Sequence, residues 1–474
     1  MGPGTPQLED LWPCLQGMIP AALSTCSLGG TPNITFISQV YYVNATHIAI
    51  SHQFFNKTHR NVRENPLACA MLLDPRTLQA YRLQLRFEHS ESSGPLFDSM
   101  SLQLQAIASH AGMTDVFRLR ASDVYEVLRI ERVEGFTRLP TPPPSALPSR
   151  LFVGEDLELL RLLAERLNRS ELLGELLETA LQLLDEWLGF RHAIILVADE
   201  RNEKLFTIAS HGYPENGAGS EVGFGEGLIG MVARARRALR LSAIDHSLRY
   251  ARAVRDRAEA VAGTEAVRRE IPLPGLPGAA CQIAVPLVTR GRIVGVLAVE
   301  STDPLAFMPR EDTILTIVAA QLATGIEQLG RDIEESPPAT PAQSKPARQT
   351  GGLTRTRNFC FFHADDCVFV DGEYLVRNVP GRILWRLLKQ QHHEGRSEFT
   401  NRELRMDSWL GLPEIKDNLE SRLILLRKRM EQKCPDVRLV PRGRGRFALE
   451  TDVAIQLSEK RGETVLPGHE CTNR

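Results

Sequence analysis

The chain has no long apolar run, no clustered cysteines and almost no net charge. No hydrophobic stretch approaches the roughly 18 residues that a membrane-spanning helix needs, so no bilayer crossing is expected. The segment Met1 to Gln16 lacks a basic stretch followed by an apolar one, which argues against secretion. The eight cysteines are scattered and none forms a Cys-x-x-Cys pair, so neither a zinc site nor a disulfide framework is expected. No other metal site is expected either. Reduced thiols in the cytoplasm are the reading, and the sequons begun by Asn33, Asn44, Asn56 and Asn168 are then chance occurrences. A net charge of −2 gives no global pull toward nucleic acid, so any cationic surface must be local. No Ser-His-Asp grouping and no paired carboxylates in a cleft pattern can be assembled, so no catalytic residue is expected from the protein itself.

What is present is punctuation. With 474 residues the chain is too long for one ordinary core. Two proline-dense segments divide it: Thr137 to Arg150, with Pro140, Pro142, Pro143, Pro144 and Pro148, and Glu334 to Gly352, with Pro337, Pro338, Pro341 and Pro346. Dense proline blocks helices and sheet ladders and favours extended spacers. The expected fold class is multidomain α+β. Globular parts are expected at 1–136, 151–330 and 355–452, with linkers at 137–150 and 331–354 and a polar tail at 453–474.

The first part alternates like an antiparallel barrel. Thr35 to Val43, His47 to Ser51, Ala68 to Leu73, Tyr81 to Phe87 and Val124 to Ile130 read as strands, and Leu102 to Ala111 as a helix. Ser51 to Pro66 reads as a strand running into a helix, a junction whose amides and polar side chains can hold a phosphate. That strand, the Lys57-Thr58 step and the Asn61 to Pro66 helix resemble the FMN-binding split barrel of pyridoxamine-phosphate-oxidase-like proteins. The resemblance implies that Lys57 and Thr58 meet the FMN phosphate, that Gln53 and Asn61 lie near it, and that the barrel dimerises. Many oxidases of the family carry two adjacent basic residues where this chain has Lys57-Thr58, which lowers the charge facing a phosphate.

The middle part opens with an amphipathic helix from about Leu157 to Leu188, broken near Asn168. Strands at His192 to Val197 and Leu205 to Ser210 follow, then the glycine-rich loop Gly223 to Gly230 entering a helix. A hairpin of Gln282 to Val288 and Ile293 to Glu300 turns at Arg290-Gly291, and a last helix runs from about Pro309 to Leu329. The antiparallel surroundings argue against a dinucleotide-binding loop. Gly225 to Ala233 and the late hairpin instead resemble a GAF domain, an α/β sandwich that commonly encloses a small molecule and forms helix-mediated dimers. By that resemblance Ser242 to Glu270 flanks the pocket, and Asp245, His246, Tyr250 and Arg252 are its ligand-capable groups. Cys281 reads as a buried structural thiol and His211 as a loop histidine.

The third part carries the local cationic surface. Leu419, Leu423, Leu426 and Met430 form a helical core stripe, and Arg422, Arg427, Lys428 and Arg429 charge the rest. A strand, the tip Arg442-Gly443-Arg444-Gly445-Arg446 and a second strand from Phe447 follow. Upstream, Thr400 and Glu403 have the spacing of a capping box. The Leu-Arg-Lys step and the Arg-Gly-x-Gly-aromatic wing resemble the winged helix-turn-helix of OmpR-type response regulators. The resemblance implies that Arg422, Arg427 and Lys428 neutralise phosphates of double-stranded DNA, and that Arg442, Arg444 and Arg446 extend that contact along the wing. Ile424 and Leu425 stand where relatives often carry basic groups; they are open to thymine methyls, a partner or a wider core.

The composite reading is a cytoplasmic one-component transcriptional regulator, homodimeric by family analogy, that senses a small-molecule effector or flavin redox state and binds DNA. The alternative is an FMN-dependent oxidoreductase with accessory domains.

Overall fold

The computed structural model describes residues 6–37, 39–52, 56–110, 119–135, 153–199, 203–214, 217–242, 273–332, 356–363, 366–410, 419–443 and 445–460. Both proline-rich segments lie outside these residues.

The first domain begins with a 3-10 helix, Leu8–Gln16, that buries Leu8, Leu11 and Leu15. Its strands are β1 (Ala21–Cys26), β2 (Pro32–Ile37), β3 (Val40–Asn44), β4 (His47–His52), β5 (Leu67–Leu73), β6 (Ala80–Glu91) and β7 (Ala121–Val133), with α1 (Asn56–Glu64) and α2 (Pro95–His110) between them. They form one seven-stranded sheet in the order β2-β1-β5-β6-β7-β4-β3. Alternating burial along β1 and β5 gives the sheet an apolar inner face, as period-2 side-chain geometry requires. The expected single strand Thr35 to Val43 is two strands: β2 pairs with β1 and β3 with β4, at opposite ends of the sheet order. Residues this close in sequence therefore close the two ends of the domain.

The second domain holds α3 (Val153–Leu167), α4 (Leu173–Leu188), β8 (His192–Asp199), β9 (Lys204–His211), β10 (Glu221–Gly223), α5 (Gly227–Ala235), β11 (Leu239–Ser242), β12 (Cys281–Thr289), β13 (Arg292–Ser301) and α6 (Pro309–Asp332). The break near Asn168 separates α3 from α4 as expected. A six-stranded antiparallel sheet, β10-β9-β8-β13-β12-β11, has α3, α4 and α6 on one face and α5 on the other. The β12–β13 hairpin turns at Arg290 (φ 50°) and Gly291 (φ 74°), two successive left-handed residues that match strand twist. Helix α2 of the first domain leaves its own sheet and packs on the α5 side: Ala106 belongs to that core, with Leu102 and Ile107 against it.

The third domain comprises β14 (Thr356–Phe362), β15 (Cys367–Val370), β16 (Glu373–Val376), α7 (Asn378–Glu394), β17 (Glu398–Thr400), α8 (Asn401–Met406), α9 (Leu419–Lys433), β18 (Val437–Pro441), β19 (Arg446–Thr451) and β20 (Ala454–Lys460). One sheet runs β16-β15-β14-β20 and a second β17-β19-β18. β20 corrects the expected tail from 453 onward: it pairs in parallel with all of β14, so the domain extends at least to Lys460. The capping box forms: Thr400 Oγ1 accepts from the Glu403 amide at 3.2 Å, and Glu403 Oε2 accepts from the Thr400 amide at 2.9 Å. Among the described residues no helix is long and apolar enough to cross a membrane.

Candidate functional site

In the first domain the strand-to-helix junction folds as a polar network. Thr58 and Asn61 are buried. Asn33 Nδ2 on β2 donates to Thr58 Oγ1 at 2.9 Å, and Asn61 Nδ2 donates to Thr25 Oγ1 on β1 at 3.2 Å. These two side chains tie α1 to the sheet. Lys57, one residue before Thr58, is exposed beside the start of α1. Gln53 lies outside the described residues. Among the described residues, Lys57 and the first turn of α1, where the helix dipole favours an anion, fit the phosphate of FMN.

The same junction assembles groups that sequence reading passed over. His52 ends β4, and the pairing of β4 with β7 sets Ile50 opposite Asp123. His59 Nδ1 lies 3.3 Å from Asp123 Oδ2, and Ser90 Oγ on β6 donates to Asp123 Oδ1 at 2.6 Å. The His52 and His59 rings stack at 4.2 Å. Burial holds the His52 imidazole below its ordinary protonation range, although the Asp123 charge opposes that shift. Both histidines were visible in the segment Ser51 to Pro66, but their carboxylate comes from a strand more than sixty residues later.

In the second domain the glycine-rich loop closes on itself. The Gly225 amide donates to the Gly230 carbonyl at 2.7 Å, and Glu226 Oε2 accepts from the Gly223 amide at 2.8 Å. A Cβ on Gly230 would lie 2.1 Å from the Gly223 oxygen, so only glycine fits. Asp245, His246, Tyr250 and Arg252 all lie outside the described residues. Within them, Glu300 is the polar hub: it accepts from the Leu276 amide at 2.7 Å, Tyr213 Oη at 3.0 Å and Gln282 Nε2 at 3.2 Å. Burial raises the Glu300 carboxyl above its usual range against these stabilising bonds. Cys281 is buried at the start of β12, and burial pushes its thiol up to about 11, as suits a structural thiol. His211 ends β9 and pairs with Asp185 at 2.8 Å.

In the third domain the basic helix α9 faces protein. Ile424 is buried in the core of the second domain, together with residues of α4 and α6. Around it, Arg422 lies 3.6 Å from Asp199 at the end of β8, and Lys428 lies 3.6 Å from Glu178 on α4. Arg427 Nε donates to the Leu439 carbonyl at 2.9 Å. Arg422 and Lys428 are 20% and 19% exposed, so the phosphate-facing surface expected of them is covered in this arrangement. The physical reason is Ile424: an apolar residue between cationic neighbours has an apolar partner here, and the acidic side chains beside that partner match the cations. Leu425 resolves differently and belongs to the third domain's own core.

The hairpin after α9 is more open. Gly443 (φ 113°) and Gly445 (φ 64°) form the tip, and the Arg442 amide bonds the Arg446 carbonyl at 2.8 Å. Arg442 and Arg446 are exposed, with Arg442 paired to Glu450; Arg444 lies outside the described residues. Phe447 is buried and stacks on Phe399, closing the hairpin onto the core as expected. A cavity of ≈ 410 Å³ separates the hairpin from α4; Glu175, Glu178, Gln182, Asn401, Arg427 and Arg446 are among its walls.

Comparison with known proteins bears on the first two domains. Residues 10–128 match a family described as pyridoxamine 5'-phosphate oxidase, and residues 170–327 match a family described as GAF domain. Among solved structures, the GAF domain of an Acinetobacter phosphoenolpyruvate-protein phosphotransferase is 24% identical, covering 38% of this chain and 97% of its own, with a TM-score of 0.30. An FMN-binding protein from Syntrophomonas wolfei is 19% identical over 28% of this chain and 89% of its own, with a TM-score of 0.23. The free methionine-R-sulfoxide reductase of Neisseria meningitidis is 19% identical over 37% of this chain and 89% of its own, with a TM-score of 0.28. No curated protein matches the chain. The chain is a multidomain α+β protein that carries a split-barrel-like domain of the pyridoxamine-phosphate-oxidase type followed by a GAF domain.

Proposed function

We propose that this chain is a sensory transcriptional regulator. A small molecule or flavin redox state acts on the first two domains, and the third binds duplex DNA as a winged helix of the OmpR type. The observation that carries this reading is the seating of α9 on the GAF domain through Ile424, Arg422 and Lys428. It couples the GAF domain directly to the most cationic helix among the described residues. Helix α9 precedes the β18–β19 hairpin with its Gly443 and Gly445 tip, in the order that a winged helix requires. In the seated arrangement Glu178 and Asp199 lie beside cations that phosphates would otherwise take, and on this reading the arrangement is the closed state. Signal input opens it. Dimerisation and cytoplasmic location belong to the same proposal, since one winged helix neutralises few phosphates.

The test is duplex binding by the full chain. Charge reversal on the GAF side, Glu178→Lys with Asp199→Lys, leaves every proposed DNA-contacting residue intact. Tighter and salt-sensitive duplex binding in this variant is the expected result. No binding by either protein at low salt sinks the DNA reading.

A second reading, an FMN-dependent oxidoreductase with accessory domains, draws on the family match over residues 10–128 and on Lys57 at the start of α1. Flavin would supply the redox chemistry when bound, and Lys57 would hold its phosphate. Yellow colour and substrate-driven bleaching of the purified protein would favour it.

A further inference from the structure

His52, His59 and Asp123 stand apart from every role assigned above. Their ligand atoms all lie within 4.8 Å of one another. They come from three elements, the end of β4, the middle of α1 and β7, so the fold rather than a local turn assembles them. We propose that they form a binding site for one divalent transition-metal ion of the zinc, cobalt or iron(II) class, with remaining coordination positions open to water or a small ligand.

The distances suit a shared ion as well as a long hydrogen bond. His59 Nδ1 and Asp123 Oδ2 are 3.3 Å apart. A charge-assisted N–H···O bond is shorter, about 2.7–2.9 Å. Two metal bonds of about 2.1 Å at a tetrahedral angle separate their donor atoms by about 3.4 Å.

His52 supplies the third corner. Its Nε2 is buried and has no hydrogen-bond partner, an uncommon state for a buried polar atom. The His52 and His59 rings stack at 4.2 Å, so holding one ion between them requires one ring to turn about its side-chain torsion until both nitrogens face it. Asp123 is itself 6% exposed, and its Oδ1 is engaged by Ser90. Oδ2 is thus the oxygen left to the histidines, the kind of outer-shell orientation that metal-binding carboxylates use.

The donor set selects the class of ion. Calcium and magnesium require more oxygen ligands than one carboxylate supplies. Arg63 and Arg120 also bring positive charge near His52, which disfavours a cation held by charge alone. Imidazole nitrogen binds zinc, iron, cobalt and nickel strongly enough to tolerate that charge. Two histidines and one carboxylate leave positions unfilled around any of these ions.

The experiment is a cobalt(II) titration of the chelator-stripped full chain, read by visible ligand-field absorption and by metal analysis after dialysis. One cobalt ion per chain is expected. His52→Gln and His59→Gln should each weaken binding at least tenfold. His47→Gln, which alters the neighbouring His47–Glu88 pair, should not. Circular dichroism verifies the fold of each variant, and if one histidine variant does not fold, the other decides. Absence of stoichiometric cobalt in the unaltered chain, or unchanged affinity in a folded His52→Gln or His59→Gln protein, overturns the proposal.

Discussion

Arg377 and Glu221 join the third domain to the GAF domain in a two-point ion pair. Arg377 Nε donates to Oε1 at 3.0 Å and Nη2 meets Oε2 at 2.8 Å. Lys204 Nζ donates to the same carboxylate at 2.7 Å. Burial alone would raise the Glu221 carboxyl, but the hydrogen bonds from Arg377 and Lys204 outweigh it and hold it below its ordinary value of 4.5. Together with Ile424 this pair holds the third domain against the GAF domain.

The docking should therefore depend on acid. A carboxyl depressed by folding contributes stability that is complete above its ordinary value and is lost as pH falls through its depressed one. Hydrogen exchange of residues 419–433 should accelerate as pH drops below about 4.5, after correction for intrinsic rates. Glu221→Gln should speed exchange there at neutral pH and flatten the acid response. Equal protection in the variant and the parent would disprove the role of this pair.

Loss of the apolar anchor should act in the same direction. Ile424→Ala removes a fully packed side chain from the GAF core, a change that costs about 2–5 kcal/mol in well-packed sites. Denaturant unfolding should show the loss, and trypsin should cut more readily around α9. If α9 is not seated on the GAF domain in solution, the substitution will cost no more than a surface change.

Duplex binding should separate the two cationic surfaces. In the charge-reversed Glu178→Lys, Asp199→Lys background, adding Arg427→Ala with Arg442→Ala should weaken binding to all sequences and lower the slope of log affinity against log salt by about two, one for each phosphate contact. An unchanged slope would remove both residues from the interface.

The glycine loop of the GAF domain should tolerate no side chain at one position. Gly230→Ala places a methyl 2.1 Å from a backbone oxygen, which must shift because it belongs to the Gly223 turn and not to a flexible side chain. The melting temperature should fall sharply, by more than an exposed Gly→Ala change produces. Gly275→Ala, which has open space around it, is the control.

Cys281 should resist alkylation. Its thiol is buried and pushed up to about 11, so little thiolate exists at pH 8. Mass mapping after iodoacetamide treatment should find Cys281 modified only in denaturant. Ready labelling of the native chain would contradict the packing of β12 described above.

Much of the local structure was legible. Arg290-Gly291 marked the turn of a hairpin, Thr400 and Glu403 marked a helix start, and the break near Asn168 divided two helices, because each is decided by a few neighbouring residues. The split-barrel-like and GAF domains were recognisable for the same reason. The 3-10 helix at Leu8–Gln16, β1 and β20 were not. β20 is polar along most of its length, and it is a strand because β14 offers it an unpaired edge. Helix α2 was visible as a helix, yet nothing in its pattern showed that Ala106 would pack against the GAF domain.

The sequence by itself determined most of the element types, the order of the domains and the presence of a basic helix before a glycine-tipped hairpin. Those properties follow from periodicity, capping and turn chemistry, which act over a few residues. Tertiary structure alone decided which way Arg422 and Lys428 face, because Glu178 and Asp199 lie more than two hundred residues earlier. It likewise decided that Asp123 meets His52 and His59, since only the pairing of β4 with β7 brings that carboxylate across the sheet. Contacts between residues far apart in the chain depend on how complete surfaces fit, and no local pattern encodes that fit.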